Sequence, residues 1–199
     1  IIEGKSDSPV KVIINNEDVR IEEADSLWGM DAMDTFDSLK SSLDDRRYSI
    51  VYIGPSGEMG HPIACIGCDG HSVAGRGGAG AVMGSKNLKA IAVLGTKDVP
   101  LYNPEKVKTK TVEMMREFSK RAAGKRSTGT TAAPITFEKV GNLPLKYWSG
   151  ETWGKADMIA APYYNEILHT KPTFCANCPY GCHRHIKLEE PKEYAVEGA

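Results

Sequence analysis

The sequence predicts an α+β fold for residues 1–98, followed by a mainly helical part from 99 to 199. Three observations support this division. Short β-rich runs bounded by turn residues dominate the first part. A segment dense in glycine follows them, and after Pro100 apolar residues recur at helical spacing on charged stretches. A chain of 199 residues is long enough for one large core or two modest domains.

The first part contains four predicted strands and a short helix. Val10–Ile14 is β-rich and ends at two asparagines, and Val19–Ile21 alternates behind it, so a hairpin is expected. Apolar residues at helical spacing predict an amphipathic helix over Thr35–Leu43. Ser49–Ile53 and Leu88–Leu94 are compact apolar runs typical of buried strands.

The second part begins with a clear helix signal. Asn103 is a good N-cap, and Pro104 suits the first helical position. We expect loops over Gly124–Ala133 and Pro134–Ser149, because the first is small and polar and the second is irregular in pattern. Another helix is predicted within Asp157–Leu168, with Pro162 limiting where it begins.

Charge and hydropathy exclude some classes of partner. The 25 basic and 26 acidic residues give a net charge of -1, which attracts neither nucleic acid nor an anionic membrane. No apolar run approaches the roughly 20 residues that span a bilayer. One basic cluster is interpreted as a solvated helix face: Lys120, Arg121, Lys125 and Arg126.

Five cysteines fall into two groups with ligand-like spacing, which indicates reduced thiols and a cytoplasmic protein. Cys175, Cys178 and Cys182 suit an iron–sulfur cluster, although zinc with His183 or His185 as fourth ligand, or no metal at all, stays open. The pair Cys65 and Cys68 is interpreted as a redox pair, as further ligands, or as ordinary small residues near a turn.

The glycine-rich segment runs from Gly75 to Asn87. Consecutive backbone N–H groups without side chains suit phosphate or another anion, and Arg76 and Lys86 add positive charge. The alternative is that the glycines allow a strand and a helix to pack closely.

Taken together, these motifs resemble the aldehyde:ferredoxin oxidoreductase family. The resemblance follows the order of the family's motifs over nearly the whole chain: Ile2–Ser6, Leu27–Gly29, Gly54–Glu58, Ala74–Gly78, Gly80–Ala90 and Cys175–Cys182.

The resemblance implies a cofactor arrangement. Residues 1–98 are expected to form the second half of the family's pterin-binding N-terminal domain, and 99–199 the start of its helical part. The pterin and phosphate contacts are expected at Ala74, Gly75, Arg76, Gly77 and Gly78, with the Ala74 carbonyl a candidate ligand for a magnesium ion that joins the pterin phosphates. Cys175, Cys178 and Cys182 are expected to hold a [4Fe–4S] cluster, whose fourth cysteine lies downstream. By the same resemblance the chain is an internal piece, and its end at Glu197–Ala199 precedes an active-site glutamate.

The function implied is oxidation of aldehydes to carboxylic acids at a tungsten or molybdenum bis-pterin centre, with ferredoxin or another electron-transfer protein as partner. Two alternatives are a tungsten subunit of an aromatic acyl-CoA reductase, and a non-catalytic iron–sulfur or zinc binding module. The substrate is therefore expected to be a small aldehyde or acyl compound, and a homo-oligomer is compatible with this assignment.

Overall fold

The computed structural model describes residues 1–161, 163–168, 170–175, 177–187 and 193–196. The chain divides into two compact units, residues 1–99 and 100–199. Within the described residues, none of the helices combines the length and the apolarity that crossing a membrane requires.

The first unit is built on a six-stranded sheet in the order β2-β1-β6-β3-β4-β5. Its central strand β6 runs parallel to β1, while the other neighbouring pairs are antiparallel. The strands are β1 (Val10–Asn15), β2 (Asp18–Glu23), β3 (Ser49–Tyr52), β4 (Ile66–Cys68), β5 (Ser72–Ala74) and β6 (Leu88–Leu94). The hairpin of β1 and β2 and the apolar strands β3 and β6 confirm the predicted elements.

Side chains that alternate along the strands supply a core on each face of this sheet. Ile13, Ala92 and Ile50 lie in register on one face and pack with Leu39 of helix α1 (Ala32–Ser42). On the other face, a second cluster contains Val12, Ile53, Leu88 and Met83. Met83 belongs to helix α3 (Ala79–Ser85), which follows the short helix α2 (Pro55–Glu58).

The second unit combines helices with a small sheet that was not anticipated from the sequence. Its helices are α4 (Pro104–Thr128), α5 (Ala133–Lys139) and α6 (Tyr163–Leu168). The strands β7 (Lys171–Thr173), β8 (His183–Lys187) and β9 (Glu193–Val196) form an antiparallel sheet in that order. The predicted helix start is confirmed, because the side chain of Asn103 accepts a hydrogen bond from the backbone N–H of Lys106 at 2.9 Å.

The prediction of a loop over Gly124–Ala133 is wrong. Helix α4 continues to Thr128, and a 3-10 turn covers Gly129–Ala132. Long-range contacts explain the extension, since the last carbonyls of a helix have no partner within it. Arg184 donates to the carbonyl of Arg126 at 2.9 Å, and Asn165 donates to that of Ser127.

Two other local predictions are corrected. The stretch Pro134–Ser149 is not wholly loop-like, because its beginning lies in α5, where Pro134 occupies the first turn and no N–H is needed. The single helix predicted within Asp157–Leu168 is instead a 3-10 turn at Ala156–Ile159 and the separate helix α6. Pro162, between them, lies outside the described residues.

Candidate cofactor and cluster sites

The predicted pterin-binding segment lies where the sheet of the first unit ends. Ala74 is the last residue of β5, an edge strand, and the chain then runs through Gly75–Gly78 into α3. Ala74, Gly75, Arg76 and Gly77 are exposed, and Gly78 is half-buried. A ligand can therefore reach the backbone of this segment directly.

The glycines of the segment serve two different purposes. Gly77 and Gly78 have φ values of 86° and 66°, in the left-handed region that favours glycine. A Cβ at Gly77 would meet nothing within 4 Å, and one at Gly75 would meet only a methyl group of Val73 at 3.7 Å. At Gly78, by contrast, a Cβ would lie 2.6 Å from the carbonyl oxygen of Pro62. Gly75 and Gly77 thus leave open space, whereas Gly78 allows close packing.

Glycines further along hold α3 in place. A Cβ at Gly84 would overlap the carbonyl oxygen of Gly57 in α2, and one at Gly80 would overlap that of Cys65. Helix α3 therefore packs directly on backbone, which confirms the close-packing interpretation at Gly80 and Gly84. Anion binding at the open positions Gly75 and Gly77 stays a prediction.

A buried ion pair fixes the elements around α2. The Lys89 side chain is fully buried, that of Glu58 is 6% exposed, and the ammonium donates to the carboxylate. Glu58 also accepts from the backbone N–H of Gly29 at 2.9 and 3.0 Å, and Lys89 donates to the carbonyl of Met30 at 3.1 Å. Residues of three motifs that carry the family resemblance are thereby joined in one network.

Cys65 immediately precedes strand β4, Cys68 is the last residue of that strand, and both are free thiols. A strand advances about 3.3 Å per residue, which opposes the Cα approach of less than about 7 Å that a disulfide needs. Burial raises the pKa of the Cys68 thiol, Asp69 raises it further, and the backbone N–H of Ala74 lowers it. Cys68 therefore lies beside the predicted cofactor segment, while the geometry disfavours a redox pair.

The three remaining cysteines lie on a tightly turned loop between β7 and β8. Cys175 is exposed, Cys178 and Cys182 are half-buried, and all three are free. The backbone N–H of Cys178 donates to the carbonyl of Cys175 at 3.0 Å. Asn177 and Gly181 adopt left-handed φ values of 58° and 56°, which bend the loop.

The donor set of this loop fits a cluster held by thiolates, because three reduced sulfurs occur within eight residues on a turning backbone. Across the described ranges, no three His, Cys, Asp or Glu side chains are gathered into a metal-binding group. The predicted ligands thus share one loop, but the structure does not bring their sulfurs to a common point, either with each other or with His183 and His185.

Two arginines lie beside the loop, and for one of them the solvated-face interpretation is wrong. Arg126 is half-buried rather than part of a solvated helix face, and it donates to the carbonyl of Pro179 at 2.8 Å. Arg184 is only 1% exposed and lies in β8. The contact of Arg126 with Pro179 has no sequence signal, because the two residues are 53 positions apart.

A cavity of about 420 Å³ adjoins the cysteine loop within the second unit. Its walls are mostly apolar side chains and the turn after α4. They include Gly129, Ala133, Phe137, Tyr180 and Cys182. One predicted ligand thus faces a space that is large enough for a small molecule.

Comparison with known proteins assigns both units. The family model of the aldehyde ferredoxin oxidoreductase N-terminal domain matches residues 1–95, and the model of domains 2 and 3 of the same enzymes matches residues 106–198. The chain belongs to the aldehyde ferredoxin oxidoreductase family. The predicted family membership is therefore confirmed, and the family is one of oxidoreductases.

Similar proteins include tungsten enzymes. A tungsten-containing aldehyde ferredoxin oxidoreductase of Pyrococcus furiosus is 35% identical over 196 residues, which is 94% of this chain and 32% of the relative. The WOR-like subunit of an aliphatic sulfonate oxidoreductase of the same organism is 30% identical and shares 92% of this chain and 31% of its own length. The chain thus spans about a third of the length of the curated relatives it matches.

A solved structure has the same fold. The active-site complex BamBC of benzoyl coenzyme A reductase, in complex with 1,5-dienoyl-CoA, superposes with a TM-score of 0.73 at 27% identity. The match covers 98% of this chain and 32% of that chain. One scaffold therefore occurs in proteins whose names describe different substrates.

Proposed function

We propose that the protein containing this chain oxidises aldehydes to carboxylic acids at a tungsten or molybdenum bis-pterin centre. The observation that carries the proposal is the open backbone of Gly75 and Gly77, held on a packed support in a chain of a tungsten oxidoreductase family. When bound, the metal–pterin centre supplies two-electron oxidation of an aldehyde with water, and a cluster supplies one-electron transfer to ferredoxin.

The role of the first unit is to bind and orient the pterin. In this proposal the backbone of Ala74–Gly78, which is exposed from Ala74 to Gly77 and half-buried at Gly78, meets its polar edge and phosphates, with N–H donors from Gly75 onward. The guanidinium of Arg76 can form a bidentate contact to a phosphate. The carbonyl oxygen of Ala74 is a hard ligand that suits magnesium between pterin phosphates. The ion pair of Glu58 and Lys89 keeps the neighbouring elements fixed while the cofactor is bound.

The role of the second unit is to hold an iron–sulfur cluster. Cys175, Cys178 and Cys182 would supply three thiolates of a [4Fe–4S] cluster, and a fourth ligand from elsewhere would complete it. Ferredoxin or another electron-transfer protein is the proposed electron acceptor, and reduced thiols agree with a cytoplasmic setting.

A second candidate function is reduction of an aromatic acyl-CoA on the same scaffold. The observation that favours it is the superposition on the benzoyl coenzyme A reductase complex over 98% of this chain. Assays of the intact protein with small aldehydes and with aromatic thioesters distinguish the two. Turnover of aldehydes alone supports the first function, and turnover of thioesters alone supports the second.

The ligand assignment is tested by Cys178→Ser in the anaerobically purified intact protein. We expect loss of the ~400 nm absorption typical of thiolate-bound iron. Cys65→Ser is the matched control, since Cys65 lies in the first unit and its loss should leave the spectrum unchanged. An unaltered spectrum in Cys178→Ser, with full iron content, contradicts the assignment.

A further inference from the structure

The cysteine loop is held by a buried guanidinium. Arg184, only two residues after Cys182, is 1% exposed. Its Nη1 donates to the carbonyls of Gly181 and His183, both at 2.8 Å, and its Nη2 donates to that of Arg126 at 2.9 Å. A planar guanidinium thus connects the end of the loop to the last turn of α4.

A second arginine, Arg126 on α4, also donates a hydrogen bond to the loop. Nε of Arg126 donates to the carbonyl of Pro179 at 2.8 Å, and its Nη2 lies 3.4 Å from the hydroxyl of Ser119. The backbone carbonyl of Arg126 also accepts a hydrogen bond from Arg184, so the two arginines are bonded to each other as well as to the loop. Carbonyls at Pro179 and Gly181, between Cys178 and Cys182, are therefore both fixed by charged donors.

Gly129 makes room for this arrangement. Its φ of 62° is left-handed, and a Cβ there would lie 2.6 Å from the carbonyl oxygen of Cys182. The same Cβ would lie 2.9 Å from both Cζ and Nη2 of Arg184. A side chain at this position would displace the guanidinium or the loop.

The guanidinium lies within electrostatic range of a predicted ligand. The Cβ position at Gly129 lies close to both the carbonyl oxygen of Cys182 and Cζ of Arg184, so these two groups are near neighbours. Arginine stays protonated in proteins, so a fixed positive charge is placed beside the loop. The carbonyl acceptors of its Nη1 and Nη2 are neutral and do not cancel that charge.

We infer that Arg184, assisted by Arg126, is a positioning residue for the cluster and raises its reduction potential. The hydrogen bonds fix the backbone between Cys178 and Cys182, so that their thiolates can meet one cluster. Reduction adds negative charge to the cluster, and a nearby buried positive charge favours that state. The inference rests on the proposed cluster-binding function of the three cysteines.

The test uses Arg184→Met, Arg184→Lys and Arg126→Met in the anaerobically purified intact protein. Arg121→Met is the matched control, since Arg121 also lies on α4 but is exposed and pairs with Glu117. The readouts are iron per chain, the rate of iron release to a chelator, and the midpoint potential by electron paramagnetic resonance.

For Arg184→Met we expect faster iron release and a midpoint shifted to more negative potential. A tenfold fall in the ratio of reduced to oxidised cluster would correspond to about 59 mV for a one-electron couple. Arg184→Lys should restore most of the midpoint but not the release rate, because it keeps charge and loses the planar fork. Arg126→Met should accelerate release and shift the midpoint in the same direction but by less, because Arg126 is half-buried and its charge is more strongly screened by solvent.

The possible negative results of this experiment have different meanings. If Arg184→Met does not fold, the midpoint and release rate of Arg184→Lys and Arg126→Met decide the matter. Iron-loaded variants that match Arg121→Met in both readouts overturn the inference and leave the cluster assignment intact. A wild-type protein without cluster iron overturns the proposed function and the inference together.

Discussion

The two candidate sites of this chain are constructed in opposite ways. The glycine segment Ala74–Gly78 depends on missing side chains: open backbone at Gly75 and Gly77, and close packing at Gly78. The cysteine loop depends on long side chains, since Arg126 reaches its Pro179 carbonyl from 53 residues away and Arg184 reaches its Gly181 carbonyl from the adjoining strand β8. A backbone site leaves a compositional signature in the sequence, whereas anchors made by side chains do not.

The difference extends to what would damage each site. The first site rests on a packed scaffold, in which a buried ion pair and glycine contacts leave little room for change. The second rests on hydrogen bonds to a loop and can lose one anchor while the fold persists. Substitutions in the first unit should therefore reduce the free energy of unfolding, and substitutions around the cysteine loop should alter cluster properties first.

The largest expected effect in the first unit is that of Lys89→Met. It leaves the Glu58 carboxylate buried without its cation, and breaking a buried pair in this way costs about 3–5 kcal/mol. Urea unfolding of the intact protein, monitored by a signal from the first unit, measures the loss. Arg47→Gln, which removes an exposed ion pair with Asp45, is the control and should change little.

The double variant Glu58→Gln with Lys89→Met sharpens this test. Removing both charges should recover part of the lost stability, because no buried charge remains unpaired. A Lys89→Met protein as stable as the wild type would show that the pair does not support the first site.

A smaller effect is expected from Gly84→Ala. The added Cβ would overlap the carbonyl oxygen of Gly57, and overpacking of this kind costs about 1–3 kcal/mol. Gly75→Ala is the matched control, because its Cβ would meet only Val73 at 3.7 Å and its φ is not left-handed. Equal denaturation midpoints for the two variants would contradict the division of the glycines into open and packed positions.

The smallest expected effect is on the reactivity of Cys68. Burial raises the pKa of its thiol, so at a given pH the reactive thiolate fraction is lower than in the unfolded chain. Alkylation of Cys68, followed by peptide mass spectrometry over a range of pH, should rise at higher pH in the native protein than in denaturant. Coincident profiles would mean that Cys68 is not shielded beside Ala74.

Much of the first unit could be predicted from the sequence, because its strands are continuous apolar runs. Both ends of strand β6, Leu88 and Leu94, were predicted correctly. The helix predicted from Thr35 begins earlier, at Ala32, because Asp31 caps it by accepting from the N–H of Asp34 at 2.9 Å. The capping role of Asp31 carries a recognisable signal, whereas apolar spacing alone places the start too late.

What could not be predicted depends on contacts between distant residues. The end of α4 was expected to be a loop because Gly124 and small polar residues follow one another there, but Arg184 and Asn165 hold its last carbonyls. Likewise, nothing in the glycine pattern distinguishes Gly75, which faces open space, from Gly84, which packs on Gly57. The three cysteines were recognised by spacing, but the hydrogen bonds from Arg126 and Arg184 to carbonyls of their loop were not.

We propose that this chain forms part of a metal–pterin enzyme with an iron–sulfur cluster. The decisive measurement is metal and pterin analysis of the anaerobically purified intact protein. We expect tungsten or molybdenum with pterin and about four irons per chain. Zinc alone, without pterin, would contradict it and leave a structural cysteine site in a non-catalytic binding module.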